Sequence, residues 1–302
     1  MDFGYLPDVS QVDFTLPLDH PATARVLAQA QRPTKPSLYL GCPTWTNKPW
    51  VGTYYPAGAQ DAQLLYWYSR QFNTLEMNTT YYRIPDATAI NRWRQAVPPG
   101  FVFCPKLPQV ISHDQLLHHV GEPTQQFCEA ILGLGPSLGM AFLQLPPFFG
   151  PDDWPVLDEY LANFPKEVPL AVEFRHENWF KESDVTQLAF QTLEERNIST
   201  VLTDVAGRRD VLHMRLTTPV AMIRFNGHGL VPSDHERLNA WAQRIQQWLD
   251  QGLHTLYFFM HQKDIMHAPP ALVHFVKELE TRTGLTLAKP EKVQQFVQGS
   301  LF

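Results

Sequence analysis

The chain has 302 residues, of which 44% are hydrophobic and 18% are charged, and this composition is typical of a folded globular protein rather than a disordered one. Its formal net charge of -6 at pH 7 counts against broad electrostatic binding to nucleic acid, which depends on neutralising phosphates. Three cysteines without a C-x-x-C pair favour a reducing compartment, and no run of 18 apolar residues is present, so we expect a cytoplasmic chain that does not cross a membrane.

The first 36 residues differ in pattern from the rest of the chain. They contain FTLPLDHP, ATARVLAQAQ and RPTKP, which predict an extended arm, a short helix and a linker broken by proline. Large apolar side chains such as Phe3, Tyr5 and Phe14 favour burial of the arm. We therefore predict an N-terminal arm over residues 1–36 that packs on a single domain over residues 37–302.

Eight apolar runs follow the arm, with helical periods between them. The runs are LYLGCP (38–43), FNTLEMN (72–78), FVFCPK (101–106), MAFLQL (140–145), PLAVEF (169–174), STVLTD (199–204), VAMIRFN (220–226) and HTLYFFM (254–260). Continuous apolar runs are typical of parallel strands that are buried on both faces. Apolar spacing predicts helices over 60–71, 86–96 and 268–280, and a capping box at 233–236 predicts the start of another helix.

Eight strand–helix units predict an α/β protein with a closed (β/α)8 barrel, the TIM-barrel fold, here with an N-terminal extension. The competing arrangement is an open doubly wound sheet, which usually has a glycine-rich phosphate turn after its first strand. The sequence contains no G-x-G-x-x-G motif, and this absence favours the barrel.

Polar side chains follow the predicted strands at their C-terminal ends, where barrels of this kind place their chemistry. Side chains two positions apart in a strand share a face. Three such polar pairs are expected to face the same way: Glu76 with Asn78, Glu173 with Arg175, and Arg224 with Asn226. The repetition of this pattern on three strands predicts a polar, charged ring at the mouth of the barrel.

We predict that this ring forms a pocket for a small anionic or sugar-like molecule, and that the chain is an enzyme that uses no metal or other cofactor. The predicted ligand-binding residues are Asn78, Tyr82, Arg83, Lys106, Gln144, Arg175, His176, Asp204, Arg224, Asn226 and His261. The arginines suit a carboxylate or phosphate because a guanidinium can bind such groups with two parallel hydrogen bonds. Glu76 and Glu173 are the predicted catalytic residues, since burial raises a carboxyl pKa toward neutrality, whereas a neighbouring arginine lowers it.

Other interpretations of the same residues stay open. A metal-dependent phosphodiesterase would gather His176, His261, Glu76, Glu173 and Asp204 around metal ions, although the twelve histidines form no H-E-x-x-H motif. A non-catalytic module would bind a metabolite in the same pocket without turnover. A purely architectural network of ion pairs would place the same charges together without any ligand.

Five strings carry a family resemblance. In chain order, LGCPTWTNKPWVGTYYP, FNTLEMNTTYYRIP, LQLPPFF, VEFRHENW and IRFNG resemble the YecE-like family, a TIM-barrel family named for a domain of unknown function. The resemblance extends from residue 38 to about residue 271. It implies a (β/α)8 fold with a pocket at the strand C-termini, and no established reaction. The family barrel is similar in shape to the endonuclease IV and xylose isomerase barrels, which suggests metal or phosphate chemistry by analogy alone.

The chain departs from the family pattern in three places. Pro43 and Thr44 stand where the family usually has Ser-Gly before its tryptophan, and Asn226 stands where a histidine is usual. His261 and Gln262 end the last strand, where two asparagines are frequent. All three departures fall at the predicted mouth, where a mechanism shared by the family would have its residues.

Overall fold

The computed structural model describes residues 3–293 and contains an eight-stranded parallel sheet. The strands are β1 Ser37–Cys42, β2 Thr74–Met77, β3 Val102–Pro105, β4 Ala141–Gln144, β5 Leu170–Glu173, β6 Ser199–Asp204, β7 Val220–Gly227 and β8 Thr255–Gln262. Their order is β3-β2-β1-β8-β7-β6-β5-β4, and the two outer strands meet through the parallel bridges Phe103–Leu138 and Lys106–Phe142. The sheet therefore closes on itself, and the predicted TIM-barrel fold is confirmed.

Helices surround the sheet. They are α1 Pro21–Gln29, α2 Leu64–Gln71, α3 Thr79–Tyr82, α4 Ala87–Ala96, α5 Gly121–Leu132, α6 Trp154–Asn163, α7 Asp184–Glu195, α8 Pro232–Gln251 and α9 Ala268–Thr283. Within residues 3–293, no helix is both long enough and apolar enough to cross a bilayer.

The connection between β6 and β7 departs from the regular strand–helix alternation. Residues 205–219 are all described, and they form a single 3₁₀ turn, Arg209–Val211, in place of an α-helix. Helix α1 of the N-terminal arm packs at this place: Thr23 Oγ1 donates to the carbonyl of Met214 at 2.9 Å and accepts from the amide of Leu216 at 3.0 Å. Val26 and Leu27 are buried on the same helix. The arm thus supplies the helix that the sixth unit lacks.

The first turns of α4 and α8 begin in different ways. Asp86 precedes α4, and its side chain accepts from the amide of Ala89 at 2.8 Å, as expected for an N-cap residue. The capping box predicted at 233–236 is wrong, because α8 begins at Pro232 and no side chain caps its first turn. Asp234 accepts instead from the amides of His228 and Leu230, at 2.7 and 3.0 Å, and so fixes the loop before the helix.

The interior of the barrel has an apolar layer beneath a polar one. The buried apolar cluster comprises Val102, Cys104, Met140, Phe142, Ala171, Val201, Met222, Tyr257 and Phe259. Because side chains alternate along each strand, the next inward positions toward the C-terminal ends include Glu173 after Ala171 and Arg224 after Met222. The polar layer therefore forms the floor of the barrel mouth, and the apolar layer beneath it separates it from the opposite end.

Candidate functional site

Arg224 on β7 lies between two buried carboxylates at the centre of the polar layer. Its Nε and Nη2 atoms donate to Oε2 and Oε1 of Glu76, both at 2.9 Å. Its Nη1 atom donates to Oε2 and Oε1 of Glu173, at 3.0 and 3.2 Å. Both glutamates are fully buried. Since an unpaired buried carboxylate costs several kcal/mol, Arg224 is the group that allows both charges to lie inside the barrel.

Other donors complete the surroundings of the two carboxylates. Glu76 also accepts from Asn78 Nδ2 at 2.9 Å, and His261 Nε2 lies 2.8 Å from its other oxygen. Glu173 accepts from Gln144 Nε2 at 2.8 Å, Arg175 Nε at 2.8 Å and Thr203 Oγ1 at 3.0 Å. Every carboxylate oxygen therefore has at least two donors, and each glutamate is fixed in one orientation.

The pKa values of both glutamates follow from these contacts. Burial by itself raises the pKa of Glu173, but the charges of Arg175 and Arg224 outweigh it and lower the pKa to about 2. Burial also acts to raise the pKa of Glu76, and Arg224 and His261 outweigh it, so that this pKa lies well below its usual range. Both side chains are therefore carboxylates at neutral pH.

Lys106 follows β3 and has a neutral partner. Its Nζ atom donates to Gln144 Oε1 at 2.8 Å and lies 3.9 Å from the centre of the Tyr81 ring. Within residues 3–293 it has no other hydrogen-bond acceptor and no ion pair, although an ammonium group has three donors. Burial, helped by the nearby charge of Arg224, lowers the pKa of Lys106 to about 8.

Arg175 follows β5 and uses only part of its guanidinium. Its Nε atom donates to Glu173, whereas neither of its Nη atoms has a protein acceptor in the described part of the chain. The ring of Phe3, from the N-terminal arm, lies 4.2 Å from the Arg175 Cζ atom, which is a cation–π contact. Arg175 is buried, and the Phe3 ring lies over its guanidinium.

Lys106 and Arg175, the two cations with free donors, line one small pocket at the strand ends. Its volume is about 150 Å³, and its lining residues are Asn78, Tyr81, Tyr82, Lys106, Gln144, Arg175 and Arg224. Tyr82 stands at the rim and is 78% exposed. Larger grooves lie elsewhere, between the arm and α8 and between α1 and α7, but none of the buried charges of the ring lines them.

The charges around the pocket do not balance. Two carboxylates, Glu76 and Glu173, meet three cations, Lys106, Arg175 and Arg224. Leaving the imidazole of His261 aside, one positive charge is in excess in a buried site, and the unsatisfied donors belong to Lys106 and Arg175, two of the three cations that line the pocket. A bound anion would supply both the missing charge and the missing acceptors.

The structure places three of the predicted ligand-binding residues away from this pocket. Asp204 points out of the barrel, where Arg237 Nη2 lies 2.8 Å from its Oδ1 and Trp241 Nε1 donates to its Oδ2 at 2.8 Å. Arg83 is exposed and lines a separate depression beside α4. His176 accepts from the amide of Asn178 at 3.1 Å and caps a short turn. These three residues do not join the ring.

The other predicted residues lie in the ring or at its edge. Asn226 lies at the edge, where its Nδ2 atom is 3.3 Å from the carbonyl of Arg224. Sequence reasoning did not include Thr203, although alternation with Asp204 would have placed one of the two inside the barrel. It also did not include Phe3, whose contact with Arg175 joins residues far apart in sequence. Tyr81 forms a wall of the pocket beside Lys106.

The residues proposed for a metal-dependent mechanism do not converge. Among residues 3–293, no group of three or more His, Cys, Asp or Glu side chains is arranged so that it could hold a metal ion. Glu76 and Glu173 face Arg224, while Asp204 and His176 lie outside the pocket. The geometry therefore gives no support to a metal centre built from this set.

Comparison with known sequences places the chain in a family. Residues 39–295, nearly the whole barrel, match the family described as "Protein of unknown function DUF72". The chain belongs to the DUF72 family. This finding confirms the YecE-like resemblance of the five sequence strings.

Individual DUF72 relatives agree with this assignment. The chain is 32% identical over 283 residues to UPF0759 protein YecE of Escherichia coli K12, which covers 88% of this chain and 100% of that protein. It is 25% identical over 150 residues to UPF0759 protein YunF of Bacillus subtilis 168, covering 47% of this chain and 52% of that protein. A crystal structure of a DUF72 family protein from Enterococcus faecalis V583 superposes with a TM-score of 0.65 at 19% identity, covering 85% and 100% of the two chains. That likeness bears on the fold alone.

Two of the departures from the YecE-like pattern of DUF72 chains have defined places in this site. His261 contacts Glu76 through Nε2, and Asn226 contacts the backbone of Arg224. Both residues support the pair formed by Glu76 and Arg224, and neither lines the pocket. In this member of DUF72, His261 and Asn226 therefore contact the ring without lining the pocket, whereas Lys106 and Arg175 provide the free donors.

Proposed function

We propose that the chain is an enzyme that binds a small molecule carrying a carboxylate or phosphate, held by Lys106 and Arg175 in the pocket at the strand ends. The observation that carries this proposal is the Arg175 guanidinium, which is buried while both of its Nη atoms lack an acceptor within residues 3–293. A guanidinium edge of this kind accommodates a carboxylate or a phosphate with two parallel hydrogen bonds.

Charge and size support an anion of limited dimensions. The ring carries one excess positive charge, and a monoanion would neutralise it. The pocket of about 150 Å³ accommodates a few heavy atoms beyond the anionic group, and its mouth beside the exposed Tyr82 leaves room for a longer ligand to extend. An internal network of ion pairs explains Arg224, but it leaves the free donors of Arg175 and Lys106 unexplained.

The catalytic roles predicted for Glu76 and Glu173 stay predictions, and the geometry favours a positioning role for both. A general acid must carry a proton at the working pH, and both glutamates have lowered pKa values. Their oxygens are also occupied by donors from the ring. Lys106, with a pKa of about 8, is the group in this pocket whose proton can be exchanged near neutral pH.

Calorimetric titration of the chain with phosphate, sulfate, acetate and malonate at low ionic strength tests the proposal. We expect at least one of these anions to bind, and Arg175→Ala to weaken its binding by roughly tenfold or more, the loss of a hydrogen bond between charged groups. Arg83→Ala is the matched control, since Arg83 was also predicted to bind ligand but lies outside the pocket.

Two outcomes would overturn the proposal. In the first, none of the four anions binds; in the second, Arg83→Ala and Arg175→Ala weaken binding equally. A stoichiometric transition metal in the purified chain, needed for anion binding, would instead favour the phosphodiesterase alternative. Binding of a natural ligand that is never converted would favour the non-catalytic module.

A further inference from the structure

The surroundings of Lys106 favour a neutral amine to an unusual degree. Its hydrogen-bond partner, Gln144 Oε1, is a neutral amide oxygen and not a carboxylate. The Gln144 amide is itself held in place because its Nε2 atom donates to Glu173. Two guanidinium groups, those of Arg175 and Arg224, lie beside the same pocket, and neighbouring cations disfavour the ammonium form of a lysine.

The charged and titratable groups around Lys106 come from several elements of the barrel. They are Glu76 on β2, Tyr81 on α3, His113 on the turn after β3, Glu173 and Arg175 at the end of β5, and Arg224 on β7. Burial and the charges of Arg224 and Arg175 favour the amine and outweigh the carboxylates of Glu173 and Glu76, which favour the ammonium form, so that the pKa of Lys106 is lowered to about 8. At pH 7 roughly 10% of Lys106 is then unprotonated, on the order of 100-fold more than for an exposed lysine.

We propose that Lys106 is a nucleophile that forms an imine with a small oxo acid whose carboxylate is held by Arg175. This inference rests on the proposed anion site and names its substrate class. Lysines that act in this way are desolvated or lie next to another cationic group, and Lys106 meets both conditions. A small oxo acid also fits the pocket, because its carbonyl carbon lies one or two bonds from the carboxylate.

The chemical step conserves atoms and electrons without an added reagent. The Lys106 amine attacks the carbonyl carbon with its lone pair, the carbonyl oxygen takes a proton, and the nitrogen loses one, which gives a carbinolamine. The hydroxyl of the carbinolamine then takes a proton, the carbon–oxygen bond breaks and water leaves, while the nitrogen lone pair forms the carbon–nitrogen double bond and the nitrogen loses its remaining proton. No oxidation occurs, and the net change is amine plus carbonyl to imine plus water.

Reductive trapping of the full-length chain tests this inference. The chain is incubated with pyruvate and sodium cyanoborohydride near pH 7.5, and the reduced adduct is located by peptide mass spectrometry. We expect labelling of Lys106 at least about tenfold faster than labelling of Lys166, an exposed lysine. Lys106→Arg keeps the positive charge and is expected to remove the dominant adduct, and Arg175→Ala is expected to slow labelling of Lys106 by roughly tenfold.

The outcomes separate this inference from the proposed function. If calorimetry shows pyruvate or acetate binding that depends on Arg175, but Lys106 is labelled no faster than Lys166, the anion site stands and the imine is wrong. If no anion binds and no selective adduct forms, both proposals are wrong. If Lys106 is labelled selectively but equally fast in Arg175→Ala, the lysine is a nucleophile but the assignment of an oxo acid held by Arg175 is overturned.

Discussion

Arg224 holds Glu76 through two parallel hydrogen bonds, Nε to Oε2 and Nη2 to Oε1, each 2.9 Å long. The two residues are 148 positions apart in sequence and come from strands on opposite sides of β1 and β8. The remaining Nη1 group of Arg224 bonds to Glu173, so one side chain ties three strands together across the barrel. The shared pairing with Arg224 explains how both carboxylates can be buried. The site as a whole still carries more positive than negative charge.

Replacing Arg224 is expected to lower the free energy of unfolding, in addition to any effect on the pocket. Arg224→Met leaves both Glu76 and Glu173 without their shared partner, and breaking a buried ion pair from one side costs about 3–5 kcal/mol. Urea unfolding at pH 7 measures this loss in the free energy of unfolding. Arg83→Ala, on the surface, is the control and is expected to stay within about 0.5 kcal/mol of the parent chain. A loss below about 1 kcal/mol for Arg224→Met would show that the pairing is not needed.

Acid is expected to weaken the fold through Glu173. Its pKa is about 2 in the folded chain against 4.5 for the unperturbed group, so it contributes stability that is complete above pH 4.5 and is lost as the pH falls toward 2. The difference of about 2.5 pKa units corresponds to roughly 3 kcal/mol. Urea unfolding between pH 7 and pH 3 measures the larger part of it, roughly 2 kcal/mol, because the loss is complete only below pH 2.

The control for the acid experiment is a surface glutamate. Glu173→Gln is expected to flatten the dependence of unfolding free energy on pH below 4.5, whereas Glu129→Gln, at an exposed position on α5, is expected to keep it. Identical slopes for the parent chain and Glu173→Gln would show that the charge of Glu173 does not stabilise the fold.

The residues of the ring that could be predicted from sequence are those whose placement follows from strand alternation. Glu173 with Arg175 and Glu76 with Asn78 lie in the ring because each pair follows an apolar run that could be recognised as a strand. Asp204 was misplaced for a related reason: its charge suggested the mouth, but the inward position at the end of β6 belongs to Thr203. Arg237 and Trp241 on α8, its actual partners, carry no sequence signal that relates them to β6.

Other features could not be predicted because they depend on contacts between distant segments. Helix α1 takes the place of a helix between β6 and β7. Predicting this placement would have required knowing that residues 205–219 form no α-helix, and their sequence alone did not show it. The same holds for Phe3, which reaches Arg175 across more than half of the chain. The sequence indicated that Lys106 lies at a strand end. Its free donors could not be predicted, because they depend on its pairing with the neutral side chain of Gln144.

Asp204 and Thr203 are adjacent in sequence and are expected to respond differently to substitution. Asp204→Asn leaves the buried Arg237 with a weaker partner and is expected to cost about 2–4 kcal/mol of unfolding free energy, with no change in anion affinity. Thr203→Val removes a donor to Glu173 and is expected to cost about 1 kcal/mol. Urea unfolding and anion titration on both variants measure these effects. Loss of anion binding in a folded Asp204→Asn chain would restore Asp204 to the site.

Lys106→Met is expected to stabilise the chain while removing its function. The pKa of Lys106 falls from 10.5 to about 8 on folding, so the charged lysine destabilises the fold at pH 8 and below, and this penalty disappears as the pH rises from 8 to 10.5. At pH 7 we expect Lys106→Met to raise the free energy of unfolding by about 1–3 kcal/mol, because the excess charge is gone. Urea unfolding at pH 7 and pH 10 measures the change, which should shrink at the higher pH.

The same variant is expected to bind anions more weakly, since one of the two cations with free donors is missing. Lys166→Met, on the surface, is the control for both measurements. A Lys106→Met chain that is less stable than the parent at pH 7 would mean that the ammonium group is well accommodated in the pocket, which contradicts the charge imbalance on which the site is argued.

Phe3 is expected to tune the affinity of the pocket from the N-terminal arm. Its ring lies 4.2 Å from the Arg175 Cζ atom and 5.0 Å from the Cζ atom of Arg208, so it covers one face of the guanidinium whose edge is proposed to bind the anion. A cation–π contact of this kind contributes about 0.5–1 kcal/mol, and its loss frees Arg175 to move. Phe3→Ala is therefore expected to weaken anion binding by roughly twofold to tenfold with little change in stability.

Tyr5→Ala is the matched control, because Tyr5 lies on the same arm but stacks on His228 and not on Arg175. Calorimetric titration of the two variants separates a local effect of Phe3 from a general loosening of the arm: equal losses would show that the arm acts as a whole, and no loss in either would show that Arg175 holds its position without the ring.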